Sequence, residues 1–158
     1  MFTGYRREHV AHPLDGFGVL VPEVERGKIL GTLFSSSLFP GRAPEGHVGL
    51  TTFVGGTRQP DLARLDDSAL LAVVGAELGR LLGARGEPSY VHVQRWPRAI
   101  PQYTLDYQRH KDAFSGFEAE APGFFIGGNS RDGISLTYCM EGGRRLATAV
   151  QAHLSPRR

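Results

Sequence analysis

The 158-residue chain has one cysteine, Cys139, so it can form no internal disulfide and offers no cysteine cluster for zinc. It has no apolar run near the ~20 residues that a membrane-spanning helix needs. Met1 to Glu8 lack the apolar core of a signal peptide and read instead as the middle of a strand. Lysine is nearly absent. Lys28 and Lys111 are the only two, and arginine supplies the other basic residues, which reads as GC-rich coding rather than chemistry. The net charge is +2 and the basic residues are scattered. Nucleic-acid binding wants a concentrated basic face, so no nucleic-acid partner is expected. The six histidines do not cluster. No Gly-x-Gly-x-x-Gly fingerprint of a dinucleotide site occurs anywhere in the chain.

What is there suits a globular domain with a real core: 41% of residues are hydrophobic. Gly16 to Pro22 reads as a strand with glycine at its entry, Glu23 to Lys28 as a charged turn, and Ile29 to Ser36 as the returning strand of a hairpin. Phe39 to Gly46 is a loop rich in proline and glycine. His47 to Val54 is a third strand, so these three are expected to form an antiparallel meander. Asp66-Asp67-Ser68 cap a helix over Ala69 to Leu82, with apolar residues at 70, 74, 78 and 81 and Gly83 as its C-terminal cap. Tyr90 to Trp96 alternates with period two and predicts a strand ended by Pro97. A polar helix is expected from about Asp106 to Ala119 and a short strand over Phe124 to Ile126. The last helix runs from Leu136 to Leu154, with Leu136, Met140, Leu146, Ala149, Val150 and Leu154 facing inward and Gly142-Gly143 as a weak point.

The segment Gly127-Gly128-Asn129-Ser130-Arg131-Asp132-Gly133-Ile134-Ser135-Leu136 carries the most chemistry. A strand, a glycine-bearing turn and a helix start make an anion site, because the first helical N–H groups are unpaired. The bland alternative is an ordinary strand-to-helix connection. Such loops usually open a nucleotide site, and this one comes last. The chain is therefore expected to hold the closing part of a cofactor site. Other candidates have equally bland readings. Phe17, between two glycines, leaves room for a planar ligand or simply marks a strand bend. Trp96, with Arg98 and Pro101-Gln102-Tyr103, is a recognition element or a core residue ending a strand. His9 and His12 read as exposed loop residues, His92 as a paired strand residue, and Cys139 as a small packing residue rather than a reactive thiol.

Five segments in order resemble the C-terminal part of the protoporphyrinogen oxidase family, within the flavin-containing amine oxidase superfamily. They are His12 to Pro22, Leu30 to Pro44, Phe53 to Gly56, Trp96 to Tyr103, and Gly128-Asn129 through Gly133-Ile134-Ser135-Leu136 to Cys139. The resemblance implies an α+β fold. Residues 1–119 would form part of a substrate-binding domain, a mixed or antiparallel sheet with flanking helices. Residues 120–158 would be a strand–loop–helix returning to an FAD-binding domain. It implies that Ile134, Ser135 and Leu136 lie against the flavin with Asn129 and Gly133 in the same loop. Trp96 would sit near the flavin, and Phe17 would stack on a pyrrole ring of the substrate. No acid or base is implied, since the cofactor carries the chemistry.

The family oxidises protoporphyrinogen IX to protoporphyrin IX with FAD and oxygen, in haem synthesis. Its N-terminal Rossmann half and helical membrane-binding domain have no counterpart in these residues. The expectation is a C-terminal portion, inactive alone, that joins the missing N-terminal half or associates with itself. Its expected location is cytoplasmic, with peripheral membrane attachment through the missing domain. The alternative is a standalone binding module without flavin chemistry. Two departures stand out. Asp132 replaces a small or basic residue, and an acid near FAD phosphates is unfavourable unless it faces solvent. Asp106-Tyr107 replace a Gly-His pair.

Overall fold

The computed structural model describes residues 1–155; the last three residues of the segment 120–158 lie outside it. The chain packs as two units, Met1–Arg95 and Trp96–Arg158.

The first unit is a five-stranded sheet of order β2-β3-β4-β1-β5, in which every pair is antiparallel. The strands are β1 (Phe2–Arg6), β2 (Gly18–Leu20), β3 (Gly31–Leu33), β4 (His47–Phe53) and β5 (Tyr90–His92). The expected meander is β2-β3-β4. The N-terminal residues are indeed interior strand: β1 pairs with β4 on one side and β5 on the other.

One face of this sheet carries the core. Thr3 and Tyr5 from β1 lie opposite Leu50 and Val48 from β4, and all four are buried. Helix α2 (Asp67–Leu82) covers that face with Val74, Leu78 and Leu82, while Leu70 is buried one turn earlier. The caps form as the sequence implies. Asp66 accepts from the Ala69 N–H at 2.8 Å, and Gly83 adopts φ 63° while its N–H closes on Gly79 and Leu78 carbonyls. The buried register is 70-74-78-82 rather than ending at Leu81, which is half-buried. Strict four-residue spacing selects one ridge of the helix against the sheet.

Two strands are shorter than expected. The returning strand stops at Leu33, and Ser35–Leu38 form the single turn α1. Serine side chains compete with the ladder there. Ser35 shares a hydrogen bond with Thr51 at 2.7 Å, and Ser36 accepts the Gly49 N–H at 3.0 Å. The strand expected to reach Trp96 stops at His92. Beyond it, Arg95 is drawn toward the start of α2, bonding Asp67 at 2.5 Å and the Leu65 carbonyl at 2.6 Å. β5 is an exposed edge, so nothing beyond β1 holds it in the ladder.

The second unit holds α3 (Gln108–Glu120) and α4 (Leu136–Leu154). The expected strand over Phe124 to Ile126 does not form. Among the described residues no strand pairs with it. Side chains satisfy its backbone instead: Ile126 donates its N–H to Glu118 at 2.7 Å, and its carbonyl accepts from Arg131 at 3.0 Å. The inward face of α4 also differs. Leu146 and Ala149 are half-buried, whereas Leu136, Met140, Val150 and Leu154 are exposed. The apolar stripe is real, but no described residue covers it.

The sheet core predicts a contrast between two leucines. Leu50 is fully buried and Leu20 is 84% exposed. Leu50→Ala should destabilise unit one by about 2–5 kcal/mol, and Leu20→Ala by less than about 0.5 kcal/mol. Denaturant midpoints of the two variants measure this. Equal losses would mean that the core does not lie on the β1–β4 face.

Candidate functional site

Gly127 to Ser135 forms a tight loop that delivers the start of α4. Gly128 and Gly133 have φ of 101° and 120°, a region closed to most side chains. The Gly128 carbonyl accepts from both Arg131 and Asp132 N–H groups, at 3.0 and 2.9 Å. Ser135 caps the helix, its hydroxyl accepting the Tyr138 N–H at 3.1 Å. The Ser135, Leu136 and Thr137 N–H groups donate to no described residue. Four such donors are left open at any helix start.

Asn129, Gly133, Ile134, Ser135 and Leu136 are therefore together on one loop and helix start. Ile134 and Leu136 are exposed at 54% and 78%, so apolar side chains flank the open N–H groups. Trp96 belongs to the same unit but is 69% exposed and joins no aromatic pair. It neither ends β5 nor enters a core. Phe17 stands in the other unit, exposed, just before β2, with its carbonyl accepting the Phe34 N–H at 3.0 Å.

The sequence model of the flavin containing amine oxidoreductase family matches residues 1–151. The chain belongs to this family. The mitochondrial protoporphyrinogen oxidase of Nicotiana tabacum is 43% identical over 157 residues, covering 98% of this chain and 31% of that enzyme. The coproporphyrinogen III oxidase of Propionibacterium freudenreichii is 33% identical over 129 residues, covering 81% of this chain and 24% of that enzyme. The chain thus spans under a third of the curated relatives it matches. A crystal structure from Exiguobacterium sp. 255-15, described as a protoporphyrinogen oxidase, superposes with a TM-score of 0.81 at 22% identity, over 96% of this chain and 33% of that one. That likeness establishes the shared fold.

A flavin is the cofactor that membership in the flavin containing amine oxidoreductases implies, and the loop fits one. An isoalloxazine ring is a flat apolar body with carbonyl acceptors. Exposed Ile134 and Leu136 suit the body, and open N–H groups at a positive helix end suit the acceptors.

Asp132 does not face solvent, as its chemistry near phosphates would require. Its side chain is only 10% exposed and turns inward. One oxygen accepts the Gly128 N–H at 2.8 Å, and the other accepts from Arg145 at 2.6 Å. Burial pushes its carboxyl pKa up, but the Gly128 N–H, the Arg145 guanidinium and nearby Arg131 outweigh it and hold the group below its usual range. The pairing with Arg145 removes the objection to an acid at this position. Glu118 is held low mainly by its bond from Arg131, helped by the Ile126 N–H.

Sequence reasoning missed the residues that brace the loop. Tyr103 and Tyr107 stack at 4.4 Å and donate their hydroxyls to the Asn129 and Ser130 carbonyls, at 2.5 and 2.7 Å. Both precede α3 in irregular chain, so no helical period in the sequence marks them. The Asp106-Tyr107 departure thus supplies a loop contact. Nothing local in the sequence links Asp132 to Arg145, thirteen residues on. The described residues contain no cluster that could hold a metal, and no described helix is long and apolar enough to cross a membrane. The Cys139 thiol points back to the Gly133 carbonyl at 3.4 Å. His12 is engaged locally, accepting the Leu14 N–H at 2.9 Å and lying against Phe34.

The lowered Asp132 pKa gives unit two a signed pH response. A carboxyl whose folded pKa lies below its unfolded value of about 3.9 stabilises fully above that value. The contribution is lost as pH falls through the folded value. Urea midpoints of unit two should therefore drop steeply as pH falls below about 4. Asp132→Asn should lie lower at neutral pH and show a flatter slope in that acid window. Parallel curves for the two proteins would show that Asp132 carries no such linkage.

Proposed function

We propose that this chain forms the C-terminal part of an FAD-dependent protoporphyrinogen oxidase, converting protoporphyrinogen IX to protoporphyrin IX with oxygen. The observation that carries this reading is the Gly127–Ser135 loop. It aims an open helix start, flanked by exposed apolar side chains, outward from unit two. Family membership and 43% identity to the tobacco enzyme over 98% of the chain support it.

The flavin, when bound, supplies the chemistry by accepting hydride equivalents from the porphyrinogen. The residues of this chain bind and orient. The N–H groups at the start of α4 favour negative charge on the ring. Ile134 and Leu136 provide an apolar wall that excludes water. Asn129 and Gly133 shape the turn so that backbone approaches the ring. Trp96 lies near the flavin, and Phe17 stacks on a pyrrole ring of the substrate. Residues 1–119 serve the substrate domain and residues 120–158 serve the FAD domain.

The ADP half of the cofactor needs a Rossmann strand–loop–helix. The described residues contain only an antiparallel sheet and no such unit. That half must come from polypeptide outside them. The exposed stripe Leu136, Met140, Val150 and Leu154 on α4 supports docking of that missing portion, because uncovered apolar surface of this kind favours association. The second reading is a non-catalytic interaction module, favoured only by the incompleteness of the site.

Flavin uptake separates the two. The chain alone should retain no FAD through dialysis. Co-expressed with the N-terminal portion of the tobacco enzyme, it should yield a yellow complex that oxidises protoporphyrinogen. Coproporphyrinogen should be assayed beside it, given the Propionibacterium relative. Gly133→Val should abolish flavin retention, since φ of 120° disfavours valine and a Cβ there lies 2.8 Å from the Tyr138 ring. His92→Ala, on exposed β5, should keep the flavin. A colourless complex, or full flavin content in Gly133→Val, would favour the module.

A further inference from the structure

We infer that Asp132 is a positioning residue for the flavin-facing end of α4: its carboxylate ties the Gly128 turn to Arg145 and so fixes where the helix start points. The inference rests on the flavin reading proposed above.

Three observations converge on this carboxylate. First, both oxygens are used, one by the Gly128 N–H at 2.8 Å and one by Arg145 at 2.6 Å. The bond to Arg145 spans from the loop to the third turn of α4. Second, the helix is shaped around it. Gly142 is the buried residue of α4, and a Cβ there would lie 2.9 Å from the Asp132 Cβ. The glycine in mid-helix is thus accounted for by the acid pressed against it.

Third, the other polar braces of the loop lead elsewhere. Tyr103 and Tyr107 hold the Asn129 and Ser130 carbonyls from the segment before α3. Arg131 reaches Ser115 and Glu118 on α3. Beyond the helix cap, the remaining hydrogen bond between loop and α4 among the described residues is the weak one from Cys139 to the Gly133 carbonyl at 3.4 Å. Removing Asp132 therefore leaves the loop hydrogen-bonded toward α3 and held to α4 by the packing of Gly127 on Leu146 and Gly133 on Tyr138, without the polar tie that fixes its angle. The expected result is a helix start that still forms but points less consistently.

The consequence is electrostatic. A helix end favours negative charge within about its first turn, and the effect falls off beyond it, so a helix start that swings away from the ring stabilises that charge less. A reduced flavin carries that charge. Loss of aim should make reduction less favourable, which a defect in overall stability would not do to flavin already bound.

The test uses the complemented complex and compares wild type with Asp132→Ala, Asp132→Asn, Arg145→Gln and, as a control, Asp112→Ala on the exposed side of α3. Flavin content and the flavin midpoint potential are read, with amide exchange at Gly128 measured on the chain. Asp132→Ala should speed Gly128 exchange at least tenfold, lower flavin content several-fold, and move the potential of the remaining flavin to more negative values. Asp132→Asn keeps an acceptor for Gly128 and should fall between it and wild type. Arg145→Gln keeps that bond but loses the ion pair. It should shift the potential in the same direction with little change at Gly128.

Asp112→Ala should match wild type. If Asp132→Ala fails to fold, Asp132→Asn and Arg145→Gln decide the matter. Wild-type potential in all folded variants, with Gly128 exchange raised, makes Asp132 a loop anchor only and overturns the inference. A wild-type complex that takes up no flavin overturns the flavin reading as well, and is distinguished because it appears before any substitution is made.

Discussion

Backbone N–H and C=O groups withdrawn from water must find partners, and the described residues of the second unit form no sheet to provide them. Its architecture follows from that constraint. The Ile126 N–H goes to the Glu118 carboxylate and its carbonyl to Arg131, while Glu118 and Arg131 also pair at 2.6 Å. The Gly128 N–H goes to Asp132, and the Asn129 and Ser130 carbonyls go to two tyrosine hydroxyls. Charged and phenolic side chains do here what strand neighbours do in the first unit. A loop satisfied this way keeps one shape without a ladder, and the start of α4 inherits that shape.

The first unit solves the same problem with strands, and its legibility differs accordingly. The caps and period of α2 were readable because they are local: Asp66, Gly83 and the apolar repeat lie within one segment. The three-strand meander was readable from short strand-like segments joined by tight, turn-rich connections. Strand ends were not. Whether Ser35 continues a ladder depends on Thr51, sixteen residues away, and whether Arg95 stays in β5 depends on Asp67. Those choices are made by partners that no local window contains. The short apolar run Phe124 to Ile126 shows the limit most clearly. Its composition suits a strand, but strand character is realised only by pairing, and the described residues offer no edge.

The candidate site divides along the same line. The loop and the helix start were visible as residue types in the right order, because a glycine turn followed by a helix start is a local pattern. Its bracing was not visible, because Tyr103, Tyr107 and Arg145 reach it from outside and Arg131 reaches out of it to Ser115 and Glu118. The stripe on α4 is exposed where its period predicts an inward face, for a related reason. Periodicity identifies an apolar face but not what covers it. Leu136, Met140, Val150 and Leu154 share a face, and pairing that face with a core requires an element beyond the described ones.

Asp132 and Gly142 show how a departure from family pattern becomes self-consistent. A buried carboxylate costs free energy unless it is bonded and paired, and a glycine inside a helix costs roughly 1 kcal/mol relative to alanine. Taken singly, each is a flaw. Together they fit, because the missing Cβ at Gly142 makes room for the acid and the acid finds two donors in that room. The two positions are therefore coupled. Alanine at Gly142 gains helix propensity only by pressing on Asp132, and its benefit returns only if the side chain at 132 is removed entirely, because its Cβ alone would stand 2.9 Å away. Residues that share a cavity do not contribute additively, so a gain from Gly142→Ala should appear in the Asp132→Gly background, where the opposing Cβ is gone, and not in the native one.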